Sequence, residues 1–397
     1  MIPHVTRTAH HLSLGGSHTA DRVLNTASRS VFVDVARAAA ILMMVQGHTL
    51  HVVLATDLRT GTAFDLWSFL RGLTSCMFLL LSGFVFALAT HRQWTDQFVS
   101  HAATGRRFRR FGFFLLLGYA LHFPMAKLAR LYGMSDERWQ SFLVVDVLQC
   151  IAVMLATLQG LLWLVRTPRH HTTAAAVGCA AIIALTPTMW RIDWAAHAPT
   201  LIAAYLSPAT GSPFPLFPWG AYILLGAALG GLYVRSRMDP LTGFADRVLI
   251  GGGLGMLLVA FVCVRIPLQP FGPTNFWTTS PNQFLVRAGC VLLALGLLAR
   301  IRPLVSKPAY AVQALAHESL TVYAVHLGIV YGSAWNLGLR QHVGPTLTLW
   351  PALAYVAAMW ASMTALASGW HWCKHRQPGI AQWVRVGVGG LLLGRLL

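Results

Sequence analysis

Long apolar segments constrain this chain more than any other feature of its sequence. Ten of them follow one another between residues 34 and 370, each about 17 to 25 residues long, the length of a helix that crosses the ~30 Å hydrocarbon core of a bilayer. Backbone groups at that depth must form their hydrogen bonds within the chain, so each segment is predicted to be an α-helix. The predicted spans cover residues 34–55, 67–90, 110–126, 142–165, 172–190, 217–234, 246–264, 282–300, 309–332 and 347–370. The sequence therefore predicts an all-α, polytopic membrane helical bundle.

Composition and charge favour a membrane protein over a nucleic-acid-binding protein. The chain is 56% hydrophobic and 11% charged, whereas about a quarter of the residues in soluble domains are charged. A net charge of +18 would indicate a nucleic-acid partner in a soluble protein, but Arg and Lys concentrate in alternate loops, as the positive-inside rule requires. We expect membrane lipids around the chain, no nucleic-acid partner, and an N-in orientation with both termini in the cytoplasm.

The two ends of the chain differ from its apolar middle. Residues 1–30 are polar and lack the apolar core of a signal peptide, so we expect a cytoplasmic tail without a cleaved leader. Residues 31–375 are predicted to form one transmembrane domain of about ten spans. Residues 376–397 are predicted to form an interfacial helix rather than an eleventh span, because Arg385 and Arg395 interrupt the apolar run. The richness in alanine and arginine makes a bacterial cytoplasmic (inner) membrane the expected location.

The first predicted span carries polar side chains on one face. Arg37 and His48 are eleven residues apart, which on an α-helix is within roughly 20° of three full turns and about 16 Å along the axis. Asp34 and His51 belong to the same stripe. Because such side chains are costly inside a bilayer, the stripe is a functional candidate. The spacing of His48 and His51 also suits a metal ion, but no carboxylate or cysteine neighbour is evident in the sequence, so we predict no metal site.

Other predicted spans carry polar side chains at mid-depth or in the outer half. Arg71 lies in the second span and His122 in the third, and the ninth offers Glu318 near mid-depth with Tyr323 and His326 along one helical stripe. The remaining polar candidates are Ser82, Asp146, Gln149 and Arg287. Their convergence predicts a polar cavity that is reached from outside.

Several of these side chains also have a structural interpretation. Histidines and tyrosines in apolar helices often form hydrogen bonds that stabilise packing, which would suit His326 and Tyr323. Asp146 and Arg287 either form a charge pair that fixes helix packing or serve the cavity. The basic run "GRRFRR" at residues 105–110 is either positive-inside charge or a phosphate-binding patch.

Taken in order, these segments resemble a known family. Arg37 and His48 form the Arg-x10-His pattern of the acyltransferase-3 proteins, which belong with the heparan-α-glucosaminide N-acetyltransferase-like proteins in a transmembrane acyltransferase superfamily. The segment "FLLLSGFVFA" at residues 78–87 looks like the family's Phe-rich Leu-Ser-Gly-Phe segment. Later family segments are similar to "VLQCIAVML" at 147–155, "FPLFPWGAYILLGAALG" at 214–230 and "ESLTVYAVH" at 318–326. The chain departs from the pattern at Ala38 and Ala39, where many members have Gly-Leu or Ala-Leu, so the two branches of the superfamily stay open.

The resemblance implies a membrane-embedded acyltransferase over residues 31–375. Such an enzyme moves an acyl group, usually acetyl, from cytoplasmic acyl-CoA to a hydroxyl or amine of an envelope glycan or lipid, with acyl-CoA as donor substrate and no tightly bound cofactor. His48 would be the general base or a transient acyl carrier. Tyr323, His326 and Ser82 would position the acceptor or stabilise the oxyanion. The donor phosphates would meet Arg37, Arg106, Arg107, Arg109 and Arg110.

The main alternative function is a secondary transporter or flippase that uses the same cavity. Transporters rely on intramembrane carboxylates and often on paired repeats. Asp146 and Glu318 are the only clearly intramembrane carboxylates in the sequence, and no internal repeat is evident, so the enzyme is favoured. Trp194, Phe276 and Trp277 in the outer loops fit either sugar stacking or ordinary interfacial anchoring. The acceptor, the acyl chain and the oligomeric state stay open.

Overall fold

The computed structural model describes residues 16–99, 101–124, 127–236, 243–266, 274–301 and 309–396. Most of this part of the chain is helical, which confirms the all-α prediction. Residues 1–15 of the predicted polar tail and residue 397 lie outside the described residues. The α-helices of the described ranges are α1 (Gly16–Val53), α2 (Thr62–Arg92), α3 (Asp96–Val99), α4 (His101–Leu121), α5 (Asp136–Phe142), α6 (Val147–Val165), α7 (Pro168–Arg191), α8 (Trp194–His197), α9 (Thr200–Leu206), α10 (Leu216–Arg235), α11 (Gly251–Arg265), α12 (Pro281–Ile301), α13 (Tyr310–His317), α14 (Ser319–Tyr331), α15 (Leu339–His342), α16 (Leu349–Arg376) and α17 (Pro378–Leu396).

Multiple helices can cross a membrane. Within the described ranges, seven are long and apolar enough by length and composition: α2, α6, α7, α10, α11 together with the π-helix Ala245–Ile250 that precedes it, α12 and α16. This finding supports a multi-pass membrane protein. The count of ten spans and the N-in orientation stay predictions.

The first, third and ninth predicted spans are not among these seven, the first and third because of their polar side chains and the ninth because its helices are too short. Polar side chains such as Asp34, Arg37 and His48 lower the mean hydropathy of α1, and four arginines occupy residues 106–110 of α4. The ninth predicted span consists of two short helices, α13 and α14. These three segments also carry the histidine candidates His48, His122 and His326.

Close backbone contacts hold one half of the bundle together around α10, which packs between α2 and α7. A Cβ atom added at Gly83 of α2 would lie 1.8 Å from the carbonyl oxygen of Ile223, and one added at Gly226 of α10 would lie 1.9 Å from that of Leu80. Small residues at such crossings are typical of membrane helices. The Leu-Ser-Gly-Phe segment therefore lies at a tight helix crossing.

The other half of the bundle encloses the polar stripe of α1, which packs against α2, α13, α14 and α16. We call the end of this half at which Asp34 lies the Asp34 end, and the opposite end, where α1 stops at Val53, the His48 end. Two backbone hydrogen bonds close the His48 end. Ala55 N donates to Leu347 O at 2.8 Å, and Leu347 N donates to Val53 O at 2.9 Å. The loop that contains α15 is thereby tied to the end of α1.

Candidate active site

His48 meets the end of α14. Its Nδ1 lies 2.7 Å from the hydroxyl oxygen of Tyr331, and the two ring centroids are 5.5 Å apart in an edge-on arrangement. If Nδ1–H donates to the tyrosine oxygen, the lone pair of the neutral imidazole lies on Nε2. The hydrogen bond to Tyr331 therefore fits a tautomer in which Nε2 of His48 is a base.

His326 lies beside His48, with its ring centroid 5.5 Å away. It is fully buried, and its Nδ1 lies 2.8 Å from the carbonyl oxygen of Val322. A carbonyl only accepts, so Nδ1 must donate and the lone pair of a neutral ring lies on Nε2. That Nε2 is buried and has no hydrogen-bond partner within the described part of the chain. A buried polar atom without a partner costs about 1–3 kcal/mol, which a ligand that forms a hydrogen bond with this nitrogen would recover.

Three predicted spans converge next to this histidine pair. Tyr323 lies one turn before His326 on α14, and its hydroxyl donates to Asp146 Oδ2 at 3.4 Å. His122 Nε2, just beyond α4, lies 3.6 Å from the same oxygen. Asp146 also caps α6, because its Oδ1 accepts from Val147 N at 2.7 Å. The structure thus brings together the predicted residues of the third, fourth and ninth spans.

The interpretation of Asp146 and Arg287 as a charge pair is wrong, because the described ion pairs join Asp146 to His122 instead. Arg287 lies against α2, where a Cβ added at Gly72 would be 3.6 Å from its Nη2 atom. The Asp146 carboxylate instead contacts Tyr323, His122 and the first turn of α6.

Glu318 does not lie with the histidine pair at mid-depth, as the sequence predicts, but belongs to a group at the Asp34 end. It is 2% exposed and forms the break between α13 and α14. Its Oε1 lies 2.5 Å from Lys374 Nζ and 3.3 Å from His371 Nδ1, both on α16. Nearby, His317 Nε2 lies 3.9 Å from Asp34 Oδ2. Neutralisation by Lys374 is the physical reason that a carboxylate persists here.

The predicted donor-binding arginines fall into two classes. Arg107 is committed to packing, since its Nη1 donates to Thr90 Oγ1 at 2.9 Å and to Gln159 Oε1 at 3.0 Å. Arg106, Arg109 and Arg110 are exposed. Arg37 is half-buried and within electrostatic range of Asp34 and Arg110, which supports a shared basic surface of Arg37 and Arg110.

The remaining predicted cavity residues have separate environments. Ser82 donates to the carbonyl oxygen of Phe78 in its own helix at 2.8 Å. Gln149 is fully buried on α6 and packs on Gly118 of α4, where an added Cβ would lie 2.4 Å from its Oε1. His51 lies one turn beyond His48, and its Nδ1 is buried without a hydrogen-bond partner among the described residues.

Sequence reasoning missed Tyr331, His371 and Lys374. Tyr331 ends the same apolar helix as His326, and a tyrosine five residues after a candidate histidine was a usable signal. Lys374 and His371 close the last predicted span, where basic residues are ordinary positive-inside charge. Their contact with Glu318 depends on how α16 packs on α13, which no local pattern reports.

The sequence matches a known catalytic family. Residues 29–251 match the family described as heparan-alpha-glucosaminide N-acetyltransferase, catalytic, and they make up more than half of the 397 residues. The matched region contains Arg37, His48, His122 and Asp146, whereas His326 and Tyr331 lie beyond it. No curated protein matches the chain. The match supports the heparan-acetyltransferase branch of the predicted superfamily, and the acyltransferase-3 label stays a prediction.

Proposed function

Because the chain belongs to the heparan-alpha-glucosaminide N-acetyltransferase catalytic family, we propose that it transfers an acetyl group from cytoplasmic acetyl-CoA to an amine or hydroxyl at the opposite face of the membrane. Family membership makes the protein a membrane acetyltransferase. The observation that carries the rest of the proposal is the pair of imidazoles of His48 and His326, whose ring centroids lie 5.5 Å apart; His326 belongs to α14, and His48 belongs to α1, the helix that also presents Arg37.

In the proposed reaction His48 is the general base. Its Nε2 takes a proton from the acceptor while the acceptor nitrogen or oxygen attacks the carbonyl carbon of the thioester. The carbon–sulfur bond then breaks, and the proton passes from His48 to the departing thiolate, which leaves acetylated acceptor and CoA. Tyr331 accepts from Nδ1–H and orients the ring, as the third member of a catalytic triad does.

His326 positions the acceptor in this scheme. Its tautomer is fixed by the carbonyl of Val322, so the buried Nε2 can accept a hydrogen bond from the acceptor's N–H or O–H. The acceptor would then satisfy the polar atom that has no partner within the described part of the chain. That hydrogen bond would hold the nucleophile beside His48.

A two-step route uses the same residues. Nε2 of His48 attacks the thioester itself, CoA departs, and the acetyl-imidazole then gives its acetyl group to the acceptor. Rapid mixing of protein with labelled acetyl-CoA and no acceptor separates the two routes, because acetyl-His48 accumulates only in the two-step route. Both routes are forms of one proposal, since the geometry of His48 and Tyr331 serves each.

The donor is proposed to enter at the Asp34 end. Arg37 forms no ion pair within 4 Å among the described residues, so its guanidinium is available to a phosphate. Arg110 is exposed beside it and adds a second charge. The eleven residues from Arg37 to His48 correspond to about 16 Å along α1, so an extended donor would reach from the arginines to the imidazole.

The acceptor is proposed to be an amino sugar of an envelope glycan or lipid in a bacterial inner membrane. The family's own description names a glucosaminide and N-acetyl transfer, which favours an amine over a hydroxyl. The aromatic side chains Trp277 and Phe276 are exposed and remain candidates for stacking on a sugar.

Reconstituted protein tests this function. Proteoliposomes receive acetyl-CoA on one side and glucosamine on the other, and N-acetylglucosamine and free CoA thiol are measured over time. We expect equal amounts of both products, formed only with donor and acceptor on opposite sides in the orientation predicted. Glucosamine uptake driven by an ion gradient, without thiol release, would contradict the proposal and favour the transporter.

A further inference from the structure

Three arginines from separate segments gather at the His48 end of α1. Arg59, in the turn after α1, donates to the carbonyl oxygen of Leu54 from Nη2 at 2.7 Å and from Nε at 3.1 Å. Arg71 of α2 lies across α1, because Gly47 leaves room for its side chain and its Nη1 lies 3.4 Å from Gly47 O. Arg340 lies on α15, which the contact of Leu347 with α1 brings near. We call these three residues the arginine trio.

The trio lies near one imidazole, that of His51, because Arg71 meets the carbonyl of Gly47 four residues before it and Arg59 meets that of Leu54 three residues after it. The positive charges of Arg59, Arg71 and Arg340 all act on His51, which places the three guanidinium groups within electrostatic reach of a single ring. Arg71 and Arg340 also act on Tyr331, and Arg71 acts on His48. The trio therefore lies beside the candidate active site and not on a separate surface.

Among the described residues, no carboxylate oxygen lies within 4 Å of these guanidinium groups. None of the trio belongs to an ion pair in the described part of the chain. By contrast, Arg300 near the opposite end of the bundle holds Asp246 through two hydrogen bonds of 2.7 and 2.6 Å. Like charges repel when they gather without a counter-charge, so a bound anion would be stabilised here. Nδ1 of His51, buried without a described partner, adds another polar atom at the same place.

We propose that the arginine trio binds a negatively charged group of the acceptor, a phosphate, sulfate or carboxylate next to the amine or hydroxyl that is acetylated. This inference rests on the proposed acetyl transfer and adds the charge of its acceptor. His51 follows His48 by three residues, about 4.5 Å along the helix axis, so an anion at the trio would lie one sugar ring or less from the reacting atom. Guanidinium groups suit this task, since they bind such anions through paired hydrogen bonds.

Binding is tested first, independently of turnover. Thermal unfolding of the purified full chain in neutral detergent is measured with glucosamine 6-phosphate, glucosamine 6-sulfate or glucosamine. We expect the two anionic sugars to raise the Tm more than glucosamine does at the same concentration, because the trio would make them bind the native state more tightly. The shift should shrink at high salt, which screens exposed charges. Equal shifts with all three sugars would overturn the proposal.

Variants assign the effect to the trio. Arg340→Gln changes an exposed residue, so it is expected to fold normally, to lose most of the shift and to raise the KM for glucosamine 6-phosphate about tenfold, equivalent to ~1.4 kcal/mol. Arg71→Gln tests the second position. Arg265→Gln, on α11 and away from the site, is the matched control and should keep the wild-type shift. A shift that survives in Arg71→Gln and Arg340→Gln together would refute the site.

Measurements on the same samples distinguish where the bound anion comes from and whether the proposed acetyl transfer occurs. If nanodiscs of phosphatidylglycerol, but not phosphatidylcholine, replace the sugar phosphate in stabilising the protein, then the anion is a lipid headgroup and the trio still binds it. Selective binding without acetyl transfer would refute the proposed function and keep the site. Acetyl transfer with equal KM for charged and neutral sugars would keep the function and refute the site.

Discussion

Replacement of Tyr331 by phenylalanine tests how the site orients His48. The change removes one oxygen atom, the partner of Nδ1 at 2.7 Å, and leaves the ring that packs on the imidazole. During proton transfer the imidazole becomes charged, and a hydrogen bond to a charged group contributes about 1.5–3 kcal/mol. At 1.36 kcal/mol per tenfold change in rate, kcat should fall about 10- to 150-fold. Since Tyr331 is remote from Arg37, the KM for acetyl-CoA should stay within about twofold.

Steady-state release of CoA thiol, with acceptor at saturation, measures this effect. Tyr310→Phe is the matched control, because this change also removes a hydroxyl that forms one hydrogen bond, here donated to the carbonyl of Ser368 at 3.2 Å, but at the Asp34 end. Its kcat should match that of the wild type. If Tyr331→Phe keeps kcat within about twofold while its fold is intact, then Tyr331 does not orient His48 and the reasoning fails.

Two further predictions concern the Asp34 end. Lys374→Met leaves the buried carboxylate of Glu318 without its cation, so the free energy of unfolding in detergent should fall by about 2–4 kcal/mol, less than for a fully buried pair because Lys374 is partly exposed. The double variant with Glu318→Gln should regain most of this loss, and a double variant as unstable as the single one would contradict the pairing. Arg110→Gln should raise the KM for acetyl-CoA about five- to tenfold with unchanged Tm, whereas Arg107→Gln should lower the Tm with unchanged KM. The opposite pattern would show that Arg107 binds the donor.

The sequence predicts the helical class and the shared face of Arg37 and His48 because both depend on local periodicity and on the cost of polar groups in a bilayer. It also predicts the convergence of His122, Asp146 and His326, because helices that alternate in direction place their outer ends together. The distances between the side chains of that group cannot be predicted in this way, because they depend on how the helices pack.

Partners across helices were not predictable from local patterns. The sequence offers Arg287 as a charge partner of Asp146, but the packing of α4 on α6 places His122 beside this carboxylate instead. The sequence predicts Glu318 near mid-depth in the membrane, because a continuous ninth helix would place it there. The break between α13 and α14 and the ion pair with Lys374 place it at the Asp34 end instead, an arrangement that helical periodicity does not encode.

Acetyl transfer that depends on His48 is the central claim, and one measurement tests it most directly. Membranes that contain equal amounts of wild type, His48→Ala or His170→Ala receive labelled acetyl-CoA, and label in the envelope acceptor fraction is counted. His170 is an exposed histidine on α7 and serves as the control. The proposed mechanism predicts that the label in the acceptor fraction is at least about 100-fold lower for His48→Ala than for the wild type, as expected for the loss of a general base. His170→Ala should retain the wild-type label. Undiminished labelling in His48→Ala membranes would contradict the claim.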